Sequence, residues 1–97
     1  MNNREILSAD CSMFGLYTIR DVVAEDCGPV FEARTHGVAR RFFLDFVSKQ
    51  PYPDDYQLYF CGSRQGAVIT SQEPECLGNF GLIKEEMEVR HDEQETL

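Results

Sequence analysis

Residues 35–50 are the one stretch of this sequence whose apolar side chains recur convincingly at helical spacing. They fall at i, i+1, i+4, i+5, i+8 and i+9 and form one stripe: Val38, Ala39, Phe42, Phe43, Phe46 and Val47. Thr35 can cap this helix, because its hydroxyl can accept a hydrogen bond from a first-turn amide, and Pro51 disfavours helical geometry at Gln50. A helix with phenylalanines along one face needs a broad apolar surface beneath it.

Short runs rich in aromatic and β-branched residues predict strands on both sides of this helix. Two precede it, at residues 14–21 and 30–34, and two follow it, at residues 56–61 and 67–71. Glu73-Pro74-Glu75 is expected to break the last strand. The order predicts an α+β fold, β-β-α-β-β, in which a four-stranded, mainly antiparallel sheet carries one long helix on one face.

A chain of 97 residues is long enough for one hydrophobic core. We assign residues 14–83 to a single α+β domain, residues 1–13 to a loose N-terminal leader and residues 84–97 to a flexible acidic tail. The tail could hold a frayed helix, but it lacks apolar residues to dock one. No apolar run approaches the length of a membrane span.

The net charge of −8 argues against a protein that coats nucleic acid, because phosphate binding depends on Lys and Arg. Most of the excess lies near the end of the chain: residues 14–64 hold six basic and seven acidic residues, and residues 65–97 hold two and eight. The four cysteines, at positions 11, 27, 61 and 76, are too far apart for a zinc half-site or a redox pair. They are expected to be free thiols.

Alternation along the strands places Phe14, Leu16, Leu58 and Phe60 in one set, and Tyr17, Ile19, Tyr59 and Cys61 in another. Both sets are partly apolar, whereas one helix covers only one face of a sheet. The second face therefore needs cover from residues 77–83, from a second copy in a homodimer, or from a different partner.

No residue pattern points to a catalytic, cofactor or metal site. His36 and His91 are isolated, and Asp54 and Asp55 after Pro53 are typical turn residues. An enzyme that uses this aspartate pair is the weakest of the hypotheses, since no partner acid or histidine lies at a supporting spacing.

The candidate surface for a partner or for nucleic acid consists of cations near the helix and of strand tyrosines. Its members are Arg34, Arg40, Arg41, Lys49, Tyr17 and Tyr59. The cations could form a basic ridge on the outer face of the helix, or Arg41 could simply pair with Asp45. The tyrosines could stack on unpaired bases or belong to the core.

Four motifs in order carry a resemblance to a known family: Tyr17-Thr-Ile-Arg-Asp21, Gly28-Pro-Val-Phe31, Gly37-Val-Ala-Arg-Arg-Phe42 and Pro53-Asp-Asp-Tyr-Gln-Leu-Tyr59. In these the chain resembles the small nonstructural protein of gokushovirus-type microviruses, which are tailless phages with single-stranded DNA. It departs from the family where Val22-Val23 replaces a usual lysine, and where Ser63-Arg-Gln-Gly66 replaces an acidic hairpin.

The resemblance implies a non-enzymatic phage protein, a positional counterpart of the microvirus C protein, that acts in the host cytoplasm. Its expected role is in viral DNA replication, at the switch to single-stranded DNA synthesis and packaging. The chain is acidic overall, and the charges of residues 14–64 nearly cancel. This favours an adaptor that binds phage or host replication proteins or the procapsid, and direct single-stranded DNA binding is the alternative. Since family members begin just before the first strand, Met13 is expected to be the natural start.

Overall fold

The computed structural model describes residues 13–96, with side chains described for residues 13–88. In chain order the elements are β1 (Met13–Asp21), β2 (Asp26–Cys27), β3 (Phe31–Ala33), α1 (His36–Val47), a 3₁₀ turn (Pro53–Asp55), β4 (Tyr56–Gln65), β5 (Val68–Asn79) and α2 (Phe80–Thr96). The predicted α+β class is confirmed. Residues 1–12 of the predicted leader lie outside the described residues, whereas Met13 belongs to β1.

The strands form one antiparallel sheet in the order β2-β1-β4-β5, and β3 also pairs with β1. Strand β4 runs along one edge of β1, so β2 and β3 share the other edge: Cys27 lies opposite Arg20, and Ala33 lies opposite Gly15. The second predicted strand is therefore the longer piece of a strand that Gly28 and Pro29 interrupt.

The β1–β3 hairpin, residues 13–33, has a short turn. Residues 22–25 form the turn, and the Asp21 carboxylate accepts hydrogen bonds from the amides of Val23 (3.0 Å) and Ala24 (3.1 Å). Glu25 has a φ of 57°. An aspartate that binds the amides just after it stabilises such a turn, so the chain returns to pair as β2 within four residues.

A bulge between β1 and β4 changes the predicted division of the sheet faces. Leu16 lies opposite Gly62 but Tyr17 lies opposite Phe60, so Cys61 has no partner on β1. Such an extra residue shifts the side-chain alternation of one strand relative to the other. Tyr17 consequently shares a face with Phe60 and Leu58, and the predicted grouping of Tyr17 with Cys61 is wrong.

Gly62 at this bulge has a φ of 151°, which only glycine adopts easily. A Cβ atom at this position would also clash with the carbonyl oxygen of Thr70. Glycine is therefore required here for two separate reasons.

Helix α1 lies on one face of the sheet and buries its Ala39, Phe43 and Val47 completely against Tyr17 and Leu58. The Thr35 hydroxyl accepts a hydrogen bond from the Val38 amide (3.2 Å), which confirms the predicted N-cap. The helix ends at Val47, three residues before the predicted end, and residues 48–49 continue as a turn.

Strand β5 continues through the predicted break at Pro74. Gly62 pairs with Ser71 and Phe60 pairs with Glu75, so Pro74 lies in an irregular stretch where its missing N–H costs no ladder hydrogen bond. The expected break is therefore wrong.

Helix α2 begins at Phe80, so it joins residues 80–83 of the apolar segment to the acidic segment that follows, whereas residues 77–79 end β5. Ile83 is fully buried in the same core cluster as Phe43, and Met87 packs against that cluster. Met87 belongs to the predicted tail, residues 84–97, so the expectation that this tail lacks apolar residues to dock a helix is wrong. Neither α1 nor α2 is long and apolar enough to cross a membrane.

Both helices share the sheet face of Tyr17 and Leu58, because their buried residues join one cluster. Thr18 and Tyr59, which pair across β1 and β4, point to the other face. One of the predicted alternatives was that residues 77–83 cover the second face. Because these residues pack on the first face, that alternative is wrong.

Candidate functional site

The cations predicted to form a ridge have different surroundings in the structure. Arg40 lies between the two helices: its side chain is 17% exposed, and its Nε is 3.8 Å from Oε2 of Glu86. Lys49 lies beyond the end of α1 and pairs with Asp45 at 3.5 Å, so Asp45 is paired with Lys49 rather than with Arg41. Arg41 is exposed on α1.

The two predicted stacking tyrosines point to opposite faces of the sheet. Tyr17 is only 1% exposed, and its hydroxyl forms a 2.8 Å hydrogen bond with Nδ1 of His36. Burial raises the pKa of Tyr17, and the positive charge of Arg40 offsets part of the shift. Tyr59 is half-buried and donates a hydrogen bond to Oε1 of Gln57 (3.2 Å).

Arg34 contributes to a different cluster, at the start of β1. The guanidinium carbons of Arg34 and Arg64 lie 5.1 and 5.3 Å from the ring centroid of Phe14. Arg64 also forms a bidentate ion pair with Glu32, and the hydrogen bond from Arg64 holds the pKa of Glu32 below its usual value. Sequence reasoning missed Phe14 and Arg64 because they become neighbours only through the strand register.

An apolar groove of about 400 Å³ lies between α1 and the β1–β3 hairpin. Phe42, Phe46 and Gln50 line it from the α1 side, at intervals of four residues, and Phe31 packs against Phe42 with ring centroids 4.6 Å apart. Phe42 and Phe46 are 48% and 44% exposed, respectively. The groove therefore receives Phe42 and Phe46, two of the three residues of the predicted apolar stripe that the core does not bury.

The hairpin supplies the remaining wall and two charged groups of the groove. Ile19 and Tyr56 form the floor, and the wall runs from Ala24 through Cys27, Gly28 and Pro29. Asp21 and Asp26, which lie opposite each other in the β1–β2 register, complete the lining. The site thus combines an apolar floor with an acidic rim.

Other groups singled out in the sequence lie apart from this groove. Asp54 and Asp55 belong to the 3₁₀ turn, and the Asp55 carbonyl accepts a hydrogen bond from the Val22 amide (2.9 Å). The side chain of His91 lies outside the described residues. Within residues 13–88, no group of His, Cys, Asp and Glu side chains is arranged to hold a metal ion.

The described cysteines, Cys27, Cys61 and Cys76, are free thiols. Burial raises the pKa of the Cys61 thiol, and the nearby Cys27 adds to the shift.

The model of a protein family described as Phage ORF5 protein matches residues 14–81. No curated protein and no solved structure matches the chain. The matched range runs from β1 into the first turn of α2 and includes all of the described residues that line the groove.

Proposed function

This chain belongs to the Phage ORF5 protein family, and from that premise we propose that it is a non-enzymatic, nonstructural protein of viral DNA replication. It acts in the host cytoplasm at the switch to single-stranded DNA synthesis and packaging, as an adaptor that binds phage or host replication proteins or the procapsid. The likeness of its motifs to those of gokushovirus-type microviruses supports this role.

The groove beside α1 is the observation that carries the adaptor function. Phe42 and Phe46 keep nearly half of their surface exposed although they belong to a helix whose other face is fully buried. Exposed aromatic side chains that line a concave apolar surface are typical of protein recognition sites. An adaptor needs such a surface and needs no reactive group.

Affinity capture from infected cells tests this function. The full-length protein with a small tag is recovered during phage replication, and bound proteins are identified by mass spectrometry beside an unrelated tagged protein of similar charge. We expect replication or procapsid proteins to be enriched. A phage that lacks the gene should accumulate less single-stranded DNA, and normal accumulation together with no enriched replication or procapsid protein would refute the role.

Direct single-stranded DNA binding is the second candidate, and the cluster of Phe14 with Arg34 and Arg64 favours it. An aromatic ring with two guanidinium groups close to it resembles the stacking platforms of single-strand binders. This function predicts oligothymidylate binding that weakens steeply with salt. The absence of binding at low salt would exclude it.

A homodimer through the second sheet face, around Tyr59, stays a prediction. Sedimentation equilibrium of the full chain tests it directly.

A further inference from the structure

We propose that the groove between α1 and the β1–β3 hairpin binds a segment of the partner protein in which large apolar side chains adjoin lysine or arginine. The inference rests on the proposed adaptor function and specifies the chemistry of its partner.

The apolar lining of the groove explains the preference for large apolar side chains. Phe42 and Phe46 present half-exposed rings over a floor formed by Ile19 and Tyr56. The volume of about 400 Å³ lies within the ~300–1,000 Å³ of ordinary ligand pockets. Burying apolar side chains of the partner here would remove the phenylalanine faces from water, which is the main source of affinity at such sites.

The negative charge of the groove explains the preference for lysine or arginine. Among the described residues, Asp21 and Asp26 are the only charged ones that line it, and Glu25 is exposed in the turn between them. Arg20 alternates with Ile19 and Asp21 along β1, which directs it to the opposite face of the sheet. A negative rim attracts cationic side chains and repels phosphate, so the groove favours a basic protein segment over DNA.

The length of the groove sets the size of the occupant. Phe42 and Phe46 are four residues apart on α1, or about 6 Å at 1.5 Å per residue, and Gln50 extends the groove beyond the end of the helix. A short extended segment, at ~3.3 Å per residue, needs at least two residues to cover the two rings.

A second copy of this chain is a poor occupant of the groove. The adjacent cations Arg40 and Arg41 lie on α1 itself, and Arg40 is turned toward Glu86. To place Arg40 in the groove of a second molecule, the protein would have to break its contact with Glu86.

A peptide array tests the chemistry of the site with the full-length protein. The array carries random twelve-residue peptides, and the protein is detected by its tag. We expect bound peptides to be enriched in Phe, Leu or Trp adjoining Lys or Arg. Enrichment of acidic peptides, or of basic peptides without apolar residues, would overturn the proposal.

Two variant pairs then locate the binding, measured by fluorescence anisotropy with the tightest array peptide. Phe46→Ser should weaken binding by about tenfold, the usual effect of losing an interface anchor, whereas Leu82→Ser on α2 should leave it unchanged. Asp26→Asn should weaken binding by about threefold and flatten its salt dependence, and Asp45→Asn should do neither. Circular dichroism confirms that each variant is folded. Equal effects within either pair would overturn the assignment to this groove.

Self-association abolished by Phe46→Ser would identify a second copy as the occupant and also overturn the proposal. The outcomes separate this inference from the function on which it rests. Replication proteins captured equally by the parent and by Phe46→Ser would support the adaptor and refute the groove. Peptide binding that maps to the groove, without any captured replication protein, would support the groove and refute the adaptor role in replication.

Discussion

Replacing Ile83 with alanine tests whether α2 is part of the core. Ile83 is fully buried, and Ile83→Ala removes three carbon atoms, a loss of about 2.4 kcal/mol at ~0.8 kcal/mol per buried methylene. The cavity left behind adds to this, so we expect the free energy of unfolding to fall by about 3 kcal/mol, within the usual range for such changes. Urea denaturation followed by circular dichroism measures the difference.

The neighbouring residue provides a matched control, since Leu82→Ala removes the same number of carbon atoms from the same helix. Leu82 is 50% exposed, so about half of the transfer term is lost and little cavity forms, giving a decrease of about 1 kcal/mol. A loss for Ile83→Ala no larger than that for Leu82→Ala would show that α2 is not docked, and the packing argument would be refuted.

Three further changes test the sheet and its charged groups. Glu32→Gln should destabilise the protein at neutral pH, because the ion pair with Arg64 requires the carboxylate. The difference in stability should vanish as the pH falls from about 4.5 through the lowered pKa of Glu32, and urea titrations in the acid range measure this difference. Tyr17→Phe removes a buried hydroxyl hydrogen bond and should cost about 1 kcal/mol in chemical denaturation; because the pKa of Tyr17 is raised, parent stability should also decline as pH rises above 10. Gly62→Ala should lower the thermal midpoint far more than Gly28→Ala, since only the former meets backbone atoms at a positive φ; equal midpoints would contradict the bulge geometry.

The first helix and its cap could be predicted from sequence because the signals are local. Thr35 precedes the apolar stripe directly, and the spacing of Ala39, Phe43 and Val47 alone selects the buried face. Which residues of the stripe are buried and which line the groove could not be predicted. The number of rings that the core accepts depends on the width of the sheet beneath, so the sequence alone does not distinguish Phe42 and Phe46 from core residues.

The second helix carried a signal that composition obscured. Phe80, Ile83 and Met87 fall at i, i+3 and i+7, which is helical spacing, but they are embedded in an acidic sequence. Pro74 likewise indicated a strand end when considered locally. Only the pairing of β5 with β4 shows that the proline falls in an irregular stretch.

The acidic rim of the groove depends on contacts that no local pattern predicts. Asp21 and Asp26 become neighbours only because the hairpin turn is four residues long, which places them opposite each other. Sequence alone therefore points to the cations near α1, of which Arg40 and Lys49 are paired with Glu86 and Asp45 in the folded chain.

The outer wall of the groove is held to the sheet by few bonds. Besides the two-residue pairing of β2, Gly28 donates its amide to the Ile19 carbonyl and accepts from the Thr18 hydroxyl, at 2.9 and 2.8 Å. A wall fastened this lightly opens at a small free-energy cost, and its amides should exchange with solvent deuterium long before those of β1 and β4. A bound segment that packs against this wall should hold it in place, so part of its contact energy is spent on ordering, and slower deuterium uptake at residues 26–28 is the expected result when the groove is occupied.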